Sequence, residues 1–175
     1  MKFFISVLLL LAYLFINTSV NAAFSDHVLP YPPQMPGGYI YKLRVIGEKI
    51  QKIWSFGSFS QFSYNLKLAD KYLVQAKTLF EYKQYLLGYE SLKESDLFFK
   101  EAITSLDKAK IEKKDISQKK IILKSASLKH IEELNTLQMV LPEEINWIPE
   151  KTASTKLLLR NAIKNSLEIR KLIYE

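Results

Sequence analysis

Few side chains in these 175 residues could do acid, base or metal chemistry, and their spacing limits what each could do. There are two histidines, His27 and His130, and no cysteine. A metal site needs several donors that converge, and its usual trace in sequence is a second His one helical turn away or a Cys pair. Neither accompanies His27, which precedes a proline-rich segment, or His130, which stands beside Ile131 and close to Glu133 and Leu134. His130 therefore reads as a helix residue near the core boundary, and no metal or cofactor is expected. Acids are paired at Glu132-Glu133 and Glu143-Glu144. Sequence neighbours point in different directions, whereas general acid and base catalysis needs two carboxylates facing each other across a cleft. The chain has no Gly-rich phosphate loop, no Ser in a strand-to-helix elbow and no Cys nucleophile. No catalytic residue is expected, and the chain reads as a non-enzyme.

The cations are more informative. Lys2 is the one basic residue before position 23, so the remainder holds 24 of the 25 Lys and Arg against 18 acids. Lys108, Lys110, Lys113, Lys114, Lys119, Lys120, Lys124 and Lys129, opposed only by Glu112 and Asp115, account for that whole surplus. Such a stripe can attract anionic lipid or wall polymer, and the first seven of these lysines are the candidate contact residues. The arginines are Arg44, Arg160 and Arg170 alone, and planar recognition of phosphate leans on Arg, so nucleic acid is disfavoured as a partner. The simpler reading is a solvated helix face.

The elements that must position these residues begin with a leader. Lys2, the apolar run Phe3 to Ile16 and the small-residue pattern Val20-Asn21-Ala22 before Ala23 have the order of a secretory signal peptide. A membrane span needs roughly 20 apolar residues, more than this run supplies. Residues 1–22 are thus expected to be a signal peptide cleaved between Ala22 and Ala23, leaving the protein exported; an uncleaved leader would make it an N-terminal membrane anchor. Residues 23–38 are expected to form a Pro-rich extended linker or arm: Pro30, Pro32, Pro33 and Pro36 forbid a helix, and Gly37-Gly38 free the backbone to turn. The arm is expected to dock on the protein's own helices.

Residues 39–175 are expected to form one all-α domain, an up-and-down bundle of about five helices. Ile40, Leu43, Ile46, Ile50 and Ile53 recur in steps of three and four, which predicts a first helix ending near Trp54. Phe62, Leu66, Ala69, Leu73, Ala76 and Phe80 give the seam of a second, from about Ser60 to Tyr85, with Gly88 marking its end. A third, about Tyr89 to Lys113, buries Leu92, Phe99, Ala102, Leu106 and Ala109. Asp115 and Gln118 read as cap and capping partner of a fourth, which runs through Leu123, Ala126, Ile131, Leu134 and Leu137 to Leu141. Pro149 suits the first turn of a fifth, whose buried stripe would be Leu158, Ala162, Ile169 and Ile173. No segment reads as a strand. After Phe99 the only aromatics are Trp147 and Tyr174, so the core is expected to be thickest around helices one to three.

The order of these elements resembles an uncharacterised family of exported bacterial proteins, catalogued as domain of unknown function 5667. The likeness rests on Leu29-Pro30 and Met35-Pro36-Gly37 leading into Tyr41-Lys42-Leu43 and Gly47-Glu48-Lys49-Ile50-Gln51. It continues at Leu66-Lys67-Leu68-Ala69, at His130-Ile131-Glu132-Glu133-Leu134, at Ile148-Pro149-Glu150 and at Ala162-Ile163-Lys164-Asn165-Ser166. Where similar proteins carry a charged "LAxRRLxEA" helix, this chain has Asp70-Lys71-Tyr72-Leu73-Val74-Gln75. The resemblance implies export and a helical fold; it implies no functional residue.

The leading functional expectation is a non-catalytic binding or scaffolding domain at the cell envelope, with an anionic envelope component or another envelope protein as partner. A periplasmic stress-type chaperone or sensor is the alternative. An enzyme without a recognisable motif ranks last.

Overall fold

The computed structural model describes residues 26–32, 36, 39–148 and 154–174. The segment expected to be a signal peptide, its Ala22-Ala23 junction, Pro33, Gly37, Gly38 and Pro149 lie outside the described residues. The fold is all-α: α1 (Tyr39–Trp54), α2 (Ser58–Glu81), α3 (Tyr85–Ile111), α4 (Ser117–Val140) and α5 (Leu159–Lys171), followed by a 3-10 turn, Leu172–Tyr174. The single departure from helix among the described elements is a two-stranded antiparallel hairpin, β1 (Ile145–Trp147) with β2 (Thr155–Leu157), paired Ile145 to Leu157 and Trp147 to Thr155. It stands where the sequence had suggested no strand. Leu157 is buried in the core and holds the hairpin against the bundle.

Helices α2 and α3 form the central antiparallel pair. The six apolar seam positions of α2 and the five of α3 are all buried, as their spacing predicts. One core cluster gathers Leu73, Phe80, Leu92 and Leu134 with Ile163 of α5; the other gathers Phe62, Leu66, Phe99, Leu106 and Leu123. Each large side chain so buried contributes about 1.5–3 kcal/mol.

The α2–α3 turn does not use Gly88, which lies inside α3. Instead Lys83 takes a left-handed φ of 58°, the Gln84 amide donates to the Leu79 carbonyl at 2.8 Å and the Lys83 amide to the Phe80 carbonyl at 2.9 Å. The α3–α4 turn repeats this closure with Lys113 at φ 59°. Both are helix-terminating motifs in which glycine is the usual left-handed residue. Gly88 serves a different need, since a Cβ there would lie 2.6 Å from the Phe80 ring. The start of α4 differs from its expected cap: Ile116 takes the cap position without a side-chain bond, and the Asp115 carboxylate accepts instead from both the amide and the hydroxyl of Ser117, at 2.9 and 2.6 Å.

Two expectations are corrected. In α5 the fully buried positions are Leu159, Ile163, Ser166, Leu167 and Arg170, while Leu158 is 44 % exposed and Ala162, Ile169 and Ile173 are only half-buried. A serine and an arginine occupy the inner stripe, and this shifts the apolar periodicity seen in the sequence. In α1 the five residues Ile40, Leu43, Ile46, Ile50 and Ile53 are all exposed, so the first helix adds its apolar stripe to the surface and not to the core.

Candidate functional site

Three constellations stand out, and the first is a buried polar chain that ties most of the bundle together. Asp70 lies on α2, next to Ala69 in the apolar seam, so its carboxylate projects among the helices. Asp70 Oδ1 meets His130 Nε2 at 2.8 Å, and Oδ2 meets His27 Nε2 at 2.9 Å. On the far side of the imidazole, Arg170 Nε donates to His130 Nδ1 at 3.3 Å. A guanidinium can only donate, so Nδ1 is the acceptor and the ring proton sits on Nε2, pointing at Asp70. Arg170 Nη1 pairs with Asp96 Oδ1, and Nη2 donates to Ser95 Oγ at 2.7 Å. Ser166 Oγ closes the chain on Asp96 Oδ2 at 2.7 Å. The Phe99 ring lies against both side chains, 4.9 Å from the Arg170 guanidinium and 5.3 Å from the His130 imidazole.

Burial pushes His130 down to about 4; the Asp70 hydrogen bond opposes this, and the Arg170 charge adds to it. The histidine is therefore a neutral link between an anion and a cation. Burial would raise Asp70, but hydrogen bonds from His130 and His27 outweigh it and hold the carboxyl below its ordinary value. Burial also lowers Arg170, against the attraction of Asp96.

A carboxylate orienting an imidazole is the arrangement that prepares a general base. Here both ring nitrogens are committed and the side chain has no exposed surface, so no substrate atom can reach it. The chain acts as a clamp joining the N-terminal arm, α2, α3, α4 and α5. The sequence had placed His130 at the core boundary; it lies at the centre because Asp70 and Arg170 satisfy its polar atoms there.

The second constellation seats α1. Its Glu48 accepts from Lys71 Nζ at 2.5 Å and from the Tyr72 hydroxyl at 3.2 Å, while the Glu48 carbonyl accepts from the Tyr64 hydroxyl at 2.9 Å. Lys71 Nζ also lies 4.2 Å from the centre of the Tyr72 ring. Between α1 and the α2–α3 pair runs a groove of about 500 Å³, lined by Tyr41, Tyr64, Leu68, Tyr72, Glu94 and Phe98 among others. Phe98 stacks on Tyr72 at 5.6 Å and meets Tyr64 edge-on at 6.4 Å, while its neighbour Phe99 is fully buried. Burial, and after it the Glu48 charge, raises both phenols. The groove offers ring faces and carboxylates.

The third is the outer face of α1. Positions 41, 45, 48 and 52 line the groove, so the helix is docked by its more polar side. The apolar side, from Tyr39 at one end to Trp54 at the other, looks outward, with Leu43 at 68 % and Trp54 at 77 % exposure.

The predicted lysines fall around the α3–α4 turn. Lys108, Lys110, Lys113, Lys114, Lys120 and Lys124 are exposed, and Lys119 is half-buried. They do not form one uniform patch. Lys114 bonds Glu112 and the buried Ser58, both within the fold, Lys119 lies 5.8 Å from the Phe62 ring, and Lys124 lies 5.9 Å from the Tyr174 ring. Lys108 and Lys110 occupy the last turn of α3, where cations complement the helix dipole. Of the paired acids, Glu133 bonds Lys77 and Lys129, Glu132 bonds Lys129, Glu143 pairs with Arg160, and Glu144 with Lys156.

Sequence reasoning missed Asp70, Asp96, Ser95, Ser166 and Arg170. One signal was available: Arg170 is among only three arginines and follows Ser166 by one helical turn. Among the described residues, no group of three or more His, Cys, Asp or Glu could hold a metal ion, and no helix is long and apolar enough to cross a membrane. No family model, curated protein or solved structure matches this chain.

Proposed function

We propose that this protein is an exported, non-catalytic helical domain that works by binding at the cell envelope. The observation that carries the proposal is the outer face of α1. A helix whose polar side is docked and whose apolar side is exposed leaves a contiguous apolar surface of the kind that marks an interaction site. The internal use of Asp70, Asp96, His130 and Arg170 supports binding over reaction, because the groups best suited to chemistry are committed to one another. Export rests on the leader-like first 22 residues, and kinship with the exported family of unknown function rests on the order of the shared motifs.

Fractionation of cells producing the protein tests the proposal: the chain should accumulate with envelope material, beginning at Ala23. A protein found entirely in the cytoplasmic fraction with Met1 retained would refute it. The exposed stripe also favours the second reading, a chaperone-like holder of unfolded chains. Suppression of a client's aggregation by the purified protein at near-stoichiometric ratio, with no retention on envelopes, would select that reading.

A further inference from the structure

We propose that α1 is an interfacial membrane helix, lying in the plane of an anionic bilayer with Leu43, Ile46, Ile50 and Trp54 in the acyl boundary. This rests on the envelope reading above and names the partner of the same surface. Three observations point to lipid. First, the helix is amphipathic with the unusual sense already described: the groove takes Glu48, and solvent takes the isoleucines. The helix therefore sits side-on to the bundle and can lie flat on a surface along its whole length, about 24 Å for 16 residues.

Second, the charges suit an anionic headgroup layer. The helix sequence holds Lys42, Arg44, Lys49 and Lys52 against Glu48 alone, and Lys71 of α2 neutralises that one acid. An apolar face on a helix of basic sequence is the pattern of helices that lie in the interface. The net positive charge of the helix disfavours pairing with a second copy and favours an anionic surface.

Third, aromatic residues end the stripe. Tyr39 and Trp54 are 87 % and 77 % exposed, and Phe56 beyond the helix is 80 % exposed. Amphipathic rings settle at the headgroup level. The apolar run Phe3 to Ile16 precedes this helix, and on the export reading it brings the chain to a membrane.

The test uses the exported protein with vesicles of phosphatidylcholine containing phosphatidylglycerol, and with phosphatidylcholine alone. In a Trp147→Phe background Trp54 is the sole tryptophan, and its emission should shift to the blue on anionic vesicles. The triple variant Leu43→Ser, Ile46→Ser, Ile50→Ser changes exposed positions only and should keep its circular dichroism and melting. It should lose vesicle binding by at least about tenfold. Unchanged binding by the triple variant, or bound protein whose Trp54 emission does not shift, would overturn the proposal. So would a concentration-dependent dimer that the triple substitution dissolves, because the face would then belong to a second copy. Retention on envelopes without vesicle binding overturns the lipid assignment and leaves the envelope reading standing. Vesicle binding by a protein absent from envelopes leaves the lipid assignment standing and overturns the envelope reading.

Discussion

Acidification should destabilise this protein through His130 before most carboxylates titrate. The imidazole is neutral in the fold down to about pH 4, whereas in the unfolded chain it takes up its proton near 6.5. Between those values the unfolded state binds a proton that the folded state refuses, so stability falls as pH falls. From these two values the loss between pH 7 and pH 5 is about 2 kcal/mol, approaching 3 kcal/mol below pH 4. Asp70 is held below its ordinary value, so its contribution is lost at lower pH still, in the same direction. The charged groups around the ring are Asp70 from α2 and Arg170 from α5, with His27 reaching the same carboxylate from the N-terminal arm.

The assay is urea unfolding followed by circular dichroism at pH 7, 6 and 5. With a denaturant slope of 1–3 kcal/mol per molar, the midpoint should fall by about 1 M. The His130→Gln variant retains an amide that can donate to Asp70 and accept from Arg170, but it has no imidazole proton to gain. Its stability should be nearly flat over the same range, and the His27→Ala variant should keep most of the parent's slope. A parent midpoint that moves by less than a third of the expected amount, or a His130→Gln slope equal to the parent's, would refute a buried neutral histidine.

Replacing Arg170 with Met should cost about 3–5 kcal/mol in thermal or urea unfolding, because Asp96 loses its buried cation and His130 Nδ1 its donor; a loss under 1 kcal/mol would contradict the clamp. Gly88→Ala should lower the melting temperature despite the better helix propensity of Ala, because its Cβ meets the Phe80 ring; adding Phe80→Leu should recover part of the loss relative to Phe80→Leu alone. Lys83→Gly should raise stability by up to about 1 kcal/mol, since glycine bears the left-handed φ of 58° without a Cβ penalty; a clear loss would mean that the lysine side chain matters to the turn. Replacing Lys113, Lys114, Lys119 and Lys120 together with Gln should change stability by no more than about 1 kcal/mol, because most of these groups are exposed and exposed ion pairs contribute little. Equal retention of that variant and the parent on anionic wall polymer would mark the basic turn as a solvated face.

Where a helix packs by its apolar side, the pattern along the chain is sufficient to place it. The α2 seam from Phe62 to Phe80 and the α3 seam from Leu92 to Ala109 are buried as their three- and four-residue spacing requires. The stop of α2 was not legible, because Lys83 occupies a turn position that glycine normally announces and Gly88 stands inside the next helix; the stop of α3 fell within two residues of its expected place. The hairpin was not legible either, since its three-residue strands are shorter than any run in which alternation can be recognised.

The sequence by itself determined that the domain is helical, that its stability owes nothing to disulfides, and where its central pair of helices lies. Only tertiary structure decided which polar residues could be buried. Asp70, His130 and Arg170 lie 40 to 100 positions apart in the chain, separations that no local pattern encodes, and each is tolerable inside only because the others satisfy its charge or hydrogen bonds. Tertiary structure likewise decided the fate of α1. Its periodicity specifies an apolar face but not which way that face turns, and the Glu48 contacts with Lys71, Tyr72 and Tyr64 fix the polar side inward and leave the isoleucines outside.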